Sequence, residues 1–127
     1  MQSIAPGRPK HRTRSVFVET SDIVQELCEV LTSKLVAGLA GVKDPGQVRK
    51  WARGELKPTQ PAEQRLRFAH DVIQEVGSTQ GLRVAQAWAL SINPRLDYES
   101  PIKAIREDRF AETAAAAKAL LEDAYDG

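Results

Sequence analysis

Six side chains between positions 43 and 57 carry the chemistry most plainly written into this chain: Lys43, Gln47, Arg49, Lys50, Arg53 and Lys57. A carboxamide can bond an adenine edge bidentately, and a guanidinium or ammonium group can bond guanine O6 and N7. Cations beside them can sit on phosphate, which fixes register and gives salt-dependent affinity. Gln47 with Arg49 or Lys50 therefore reads as a base-contacting set, and Lys43, Arg53 and Lys57 as a phosphate-contacting set. No comparable constellation exists for catalysis. His11 and His70 have no nucleophile or carboxylate at a telling spacing, and His70 reads as a surface or boundary residue. One Cys and two His make no metal pattern, and no glycine-rich loop follows a strand. The expectation is a non-enzyme with no catalytic residue, no metal, no cofactor and no small-molecule substrate.

For the six residues to act together, the segment from Leu35 to Thr59 must hold them on one surface. Leu35, Val36 and Leu39 can anchor a first helix, Ala37 and Ala40 allow close approach, Gly41 makes a turn, and Val42 returns to the core. Asp44 then caps a second helix with Pro45 in its first position, where a missing N–H costs nothing. Val48 and the apolar part of Trp51 hold that helix down, leaving Lys43, Asp44, Gly46, Gln47, Arg49, Lys50 and Arg53 outward. Two short helices about a tight turn, the second one basic, are the ground plan of a helix-turn-helix.

The rest of the chain reads as helical throughout. Its 127 residues suit one compact domain, or a small domain with an appendage, and 42 % hydrophobic content with few aromatics favours helices over sheets. A first helix follows Thr20 or Ser21 as cap, with Ile23, Val24, Leu27, Cys28 and Leu31 as its buried stripe. Cys28 reads there as a small core residue. Thr32 or Ser33 caps the helix that ends at Ala40. A long helix opens at Gln60-Pro61 and runs to Val76 before Gly77 stops it, and the next runs from Thr79 to Leu90 on a stripe of Leu82, Ala85, Trp88 and Ala89. Asn93 to Tyr98 is a loop, and Ser100-Pro101 launches a short helix through Ile105. Asp108 caps a last helix from Arg109 to Tyr125, with Phe110, Ala114, Ala117, Leu120 and Leu121 inward. The alanines at 114–117 either admit a partner helix or pack internally.

Charge is distributed unevenly behind a net +1. Residues 1–18 carry +4, residues 19–32 carry −4, residues 33–67 carry +5 and residues 68–127 carry −4. One face thus suits a polyanion and another a different partner. Residues 1–18, with Arg8, Lys10, Arg12 and Arg14, read as a flexible basic arm, either a minor-groove reader or a solubilising tail. With no signal-peptide pattern and no apolar run long enough to span a bilayer, the expected location is the cytoplasm, with no membrane association.

Two segments resemble known families. The pattern of Ala, Gly-Val, Trp and Gly-x-x-x-Pro in 35–59 is similar to the Xre-type helix-turn-helix of phage repressors and bacterial regulators, except that Pro45-Gly46 stands where relatives often carry base-reading side chains. Trp88, Asn93-Pro94, Leu96, Ser100-Pro101, Ile102, Ile105 and Phe110 onward resemble the toxin-binding domain of the MbcA/ParS/Xre antitoxins, with Asp97-Tyr98 departing from the usual small, glycine-rich residues. Together with the helical reading above, the expectation is an all-α protein in three parts: a basic arm over 1–18, a helix-turn-helix domain over 19–76, and, as the resemblance implies, a helical toxin-binding module over 77–127. The resemblance also implies a homodimer that binds operator DNA and neutralises a cognate toxin, commonly a RES-domain enzyme that degrades NAD. Glu112, Lys118, Leu121, Glu122 and Asp123 of the last helix are the expected toxin contacts. The alternative is a stand-alone transcriptional regulator whose C-terminal helices serve dimerisation only.

Overall fold

The computed structural model describes residues 19–126, and within them every regular element is helical. The expected arm over 1–18 lies outside the described residues. In chain order the helices are α1 (Thr20–Val30), α2 (Ser33–Ala40), α3 (Pro45–Ala52), α4 (Gln60–Gln80), α5 (Leu82–Leu90), α6 (Pro101–Arg106) and α7 (Phe110–Asp126), with a single 3-10 turn at Pro94–Leu96. The fold is all-α.

Local chemistry accounts for most of the boundaries. Thr32 accepts a hydrogen bond from the Leu35 amide, Asp44 from Gly46, Thr59 from Ala62 and Ser100 from Lys103, so four helices begin on a side-chain cap. Pro45, Pro61 and Pro101 sit in the first turns that follow. Gly41, with φ 90, closes α2, its amide and that of Val42 both returning to the Ala37 carbonyl at 3.0 Å.

Four boundaries differ from the sequence reading. The cap of α1 is Glu19 rather than Thr20 or Ser21, and the Thr20 hydroxyl instead accepts from Arg67 Nη2 at 3.3 Å. Helix α4 does not stop at Gly77 but runs on to Gln80, and the chain breaks at Gly81, φ 95, so α5 starts at Leu82 rather than Thr79. Gly77 serves close approach instead, since a Cβ there would meet Leu82 Cδ2 at 2.9 Å. Asp108 does not cap α7, because its own φ of 64 and an ion pair with Arg65 direct its carboxylate elsewhere.

A central layer of α2 and α4 organises the rest: α2 packs on α1, α3, α4 and α6, and α4 packs on α1, α2, α5, α6 and α7. The buried cluster is continuous from Ile23 and Leu27 through Val36, Leu39, Val48 and Leu66 to Leu96, Ile105 and Ala117. Phe68 of α4 stacks on Phe110 of α7 with ring centroids 4.7 Å apart. The expected junction at residues 76 and 77 therefore falls inside α4, and α6 roofs α2 directly.

Stripe predictions hold for α1, α2 and α3 and shift in part on α5 and α7. Val30 is buried as well as the expected α1 residues, while Cys28 is half-buried. Leu82 is 54 % exposed and leaves the α5 stripe to Ala85, Trp88 and Ala89. On α7 Phe110, Ala117 and Leu120 pack inward as expected and Thr113 and Ala116 join them, whereas Ala114 and Ala115 face solvent. His70 is 7 % exposed, not a surface residue, and its Nε2 lies 2.6 Å from Glu26 Oε1 on α1.

Candidate nucleic-acid interface and partner groove

Helices α2 and α3, eight residues each, stand on either side of the turn Gly41 to Asp44. Val48 and Trp51 are buried against α1 and α2, and Gln25 of α1 donates to the Ala52 carbonyl at 2.7 Å, fastening the far end of α3. Gln25 was not singled out from the sequence, because a partner 27 residues away leaves no local signal. The turn is fastened too. Arg65 Nη1 donates to the Ala40 carbonyl at 2.9 Å, while its Nε and Nη2 hold the Asp108 carboxylate at 2.9 and 3.3 Å.

All six residues expected to meet DNA are exposed. At about 100° per residue, Arg49, Lys50 and Arg53 share the centre of the outward arc of α3, with Gln47 on its margin. Lys43 precedes the helix and Lys57 follows it. Asp44 is the acid at the N-terminal end of this surface, where its carboxylate is spent on the Gly46 amide at 2.8 Å. Arg53 is engaged as well, its Nε 2.7 Å from Glu55 Oε2. The Cys28 thiol, beside Ser33, is pushed up by burial, which keeps it protonated and unreactive.

The five residues expected on the toxin face do not form one patch. Lys118 and Glu122 are exposed at the centre of the outward face of α7, Leu121 is half-buried on one flank, and Glu112 and Asp123 lie on the other. Glu112 is tied down, both its oxygens receiving Arg109 at 2.9 Å. Arg109 also reaches Asp97 Oδ2 at 3.0 Å and the Leu96 carbonyl at 3.4 Å, and so clamps the Asn93 to Glu99 loop to α7. That loop needs the clamp, for Asp97 and Tyr98 adopt φ of 57 and 67. Asn93 accepts from the Arg95 amide at 2.9 Å and starts the 3-10 turn, as its place before Pro94 suggests.

Beside Asp123 opens a groove of about 490 Å³, floored by Trp88, Pro94, Ala116 and Leu120 and flanked by Arg95. Trp88 Nε1 is buried there without a hydrogen-bond partner. An orphaned buried donor costs stability, of order 1–3 kcal/mol. Among the described residues no group of three or more His, Cys, Asp or Glu is placed to hold a metal ion, and no helix is long and apolar enough to cross a membrane.

The Arg109 cluster makes acid stability testable. Its hydrogen bonds hold Glu112 below the usual carboxylate range against partial desolvation, a hydrogen bond from Lys103 does the same for Glu99, a hydrogen bond with Glu107 and, last, the Arg109 charge adding to it, and Arg65 does it for Asp108. A carboxylate depressed in the fold binds fewer protons there than in the unfolded chain. Its contribution is therefore present above the ordinary value near 4 and lost as pH falls. Thermal melts between about pH 6 and 3 should show a falling midpoint, with a shallower fall in Arg109→Gln. Parallel slopes in the two proteins would refute the role given to Arg109.

Comparison with known proteins adds one finding. The chain is 28 % identical over 109 residues to a probable mycobacterial cidal antitoxin of Mycobacterium tuberculosis, an alignment covering 85 % of this chain and 92 % of that protein. No family model matches the sequence. No solved structure matches it either.

Proposed function

We propose that this chain is the antitoxin of a toxin–antitoxin pair, a non-enzymatic protein that binds and neutralises a cognate toxin and represses its own operon through DNA. The observation that carries the reading is the alignment with the mycobacterial antitoxin, because it spans 85 % of the chain and so takes in both the basic helix pair and the Asn-Pro module. The exposed cations of α3 support the operator-binding part. The toxin-binding part is supported by α7 and the neighbouring groove, where apolar lining and flanking Arg95 and Asp123 offer a partner segment both contact area and polar anchors. The partner class we assign is a RES-type enzyme that degrades NAD, and the expected assembly is a homodimer acting in the cytoplasm. The division into an arm, a DNA-binding part and a toxin-binding part remains the working organisation.

Coexpression with the product of the adjacent gene tests the reading. Growth arrest by that product should be relieved by this chain, and the two should copurify. A neighbouring product that is harmless alone, or that never copurifies, would sink the antitoxin assignment. Tight binding to its own upstream DNA with no toxin partner would instead favour a stand-alone regulator, a reading that the exposed basic face of α3 supports without α7.

A further inference from the structure

The chain turns sharply as it leaves α3. Gly54, with φ 74, reverses it, and the amides of Gly54 and Glu55 close on the carbonyls of Trp51 and Lys50 at 3.0 and 2.9 Å. This closure brings Glu55 back over the last turn, where its carboxylate receives Arg53 Nε at 2.7 Å and Nη2 at 3.2 Å. Arg53 holds Glu55 below the usual carboxylate range, first through this hydrogen bond and then through its charge, with Lys50 adding to it. Glu55 is consequently an anion at neutral pH, set among the cations that the sequence assigns to DNA.

We propose that Glu55 is a built-in competitor for the DNA backbone: its carboxylate occupies the Nε–Nη2 edge of Arg53, where a phosphate would otherwise bind through two hydrogen bonds, and so holds the affinity of the α3 face down. The proposal rests on the DNA-binding reading above and deepens it. Carboxylate and phosphate present the same paired acceptors to a guanidinium, so one can replace the other. Both side chains are about half exposed, at 55 and 54 %, and an ion pair in that setting is weak enough to exchange. When DNA binds, Glu55 either gives up Arg53 or stays and repels the incoming phosphate. In both cases binding is weaker than the count of basic residues implies.

Fluorescence anisotropy with a labelled mixed-sequence duplex of about 20 base pairs at fixed salt provides the test. Glu55→Gln should bind about 3–10-fold more tightly than the parent chain, whereas Glu75→Gln, which makes the same charge change at an exposed site on α4, should differ by less than about 2-fold. In an Arg53→Ala background the gain from Glu55→Gln should shrink below about 2-fold, because the competitor then has nothing to compete for. An equal gain in both backgrounds would mean long-range charge alone and overturn the proposal. Weaker binding by Glu55→Gln would overturn it too, showing that Glu55 orients Arg53 for phosphate. If the parent chain binds duplexes and Glu55→Gln changes nothing, this proposal fails while the DNA reading stands. If no variant binds any duplex, both fail together.

Discussion

Leu96→Ala is expected to lower the free energy of unfolding by about 2–5 kcal/mol, and to do so equally for a probe in α3 and a probe in α5. Leu96 is fully buried in the 3-10 turn between the Asn-Pro loop and α7. Removing its branched end leaves a cavity that the fixed turn, held by Arg109 and the Asn93 cap, can collapse into only partly. The reach of the effect follows from the continuous buried cluster, in which α4 and α6 serve both halves of the chain. Trp51 and Trp88 are buried reporters of the two halves. Urea melts followed by fluorescence, with Trp88→Phe isolating Trp51 and Trp51→Phe isolating Trp88, should each show the full Leu96→Ala shift. A Trp51 transition that stays in place while that of Trp88 moves would show two independently folding units joined near residue 77.

The second large effect is expected on DNA. Arg49→Ala combined with Lys50→Ala should weaken duplex binding about 10- to 100-fold, removing a base contact by one of the two, and lower the dependence of log affinity on log salt by about 1 for the other. Both side chains lie at the centre of the exposed arc of α3 and, unlike Arg53, neither forms an ion pair among the described residues. Arg53→Ala should cost less, since Glu55 already holds the Nε–Nη2 edge of Arg53 in the parent chain. Gln47→Ala, at the margin of the arc, should leave the salt dependence alone and flatten the preference at one base pair by about 1–3 kcal/mol. Titrations of an operator and a base-substituted copy at several salt concentrations separate these roles. A uniform loss on both sequences for Gln47→Ala and for the double variant would refute the split.

Much of this architecture was legible because caps and turns are local. Thr32, Asp44, Asn93 and Ser100 each accept from an amide two or three residues ahead, and a reader of the sequence needs only those few positions to find them. Glycine was less legible, since it has two uses that look alike in one dimension. Gly41 is a turn that needs its positive φ, whereas Gly77 lies within a helix and makes room for Leu82. On α7 one inward position was hidden by a buried hydroxyl. Thr113 satisfies itself by donating to the Arg109 carbonyl at 2.7 Å, so a polar residue joins Ala116 and Ala117 on the inward face. Contacts over long separations left no trace: His70 with Glu26 and Arg65 with Asp108 are 44 and 43 residues apart. The candidate DNA residues were found from type and spacing, but Glu55, two residues beyond Arg53, was passed over as one acid among many bases.

Arg65 has a consequence for anyone who would move the α2–α3 helix pair elsewhere. One guanidinium ties the last carbonyl of α2 to a carboxylate on the α6–α7 turn, with its Nη1 where a Cβ on Gly41 would stand, 2.7 Å away. Residues 33 to 53 therefore do not form a transferable cassette. Grafted onto another helical scaffold, they would carry the turn but not the strut that braces it, and the angle between the two helices would be set by whatever the new host placed beside Gly41.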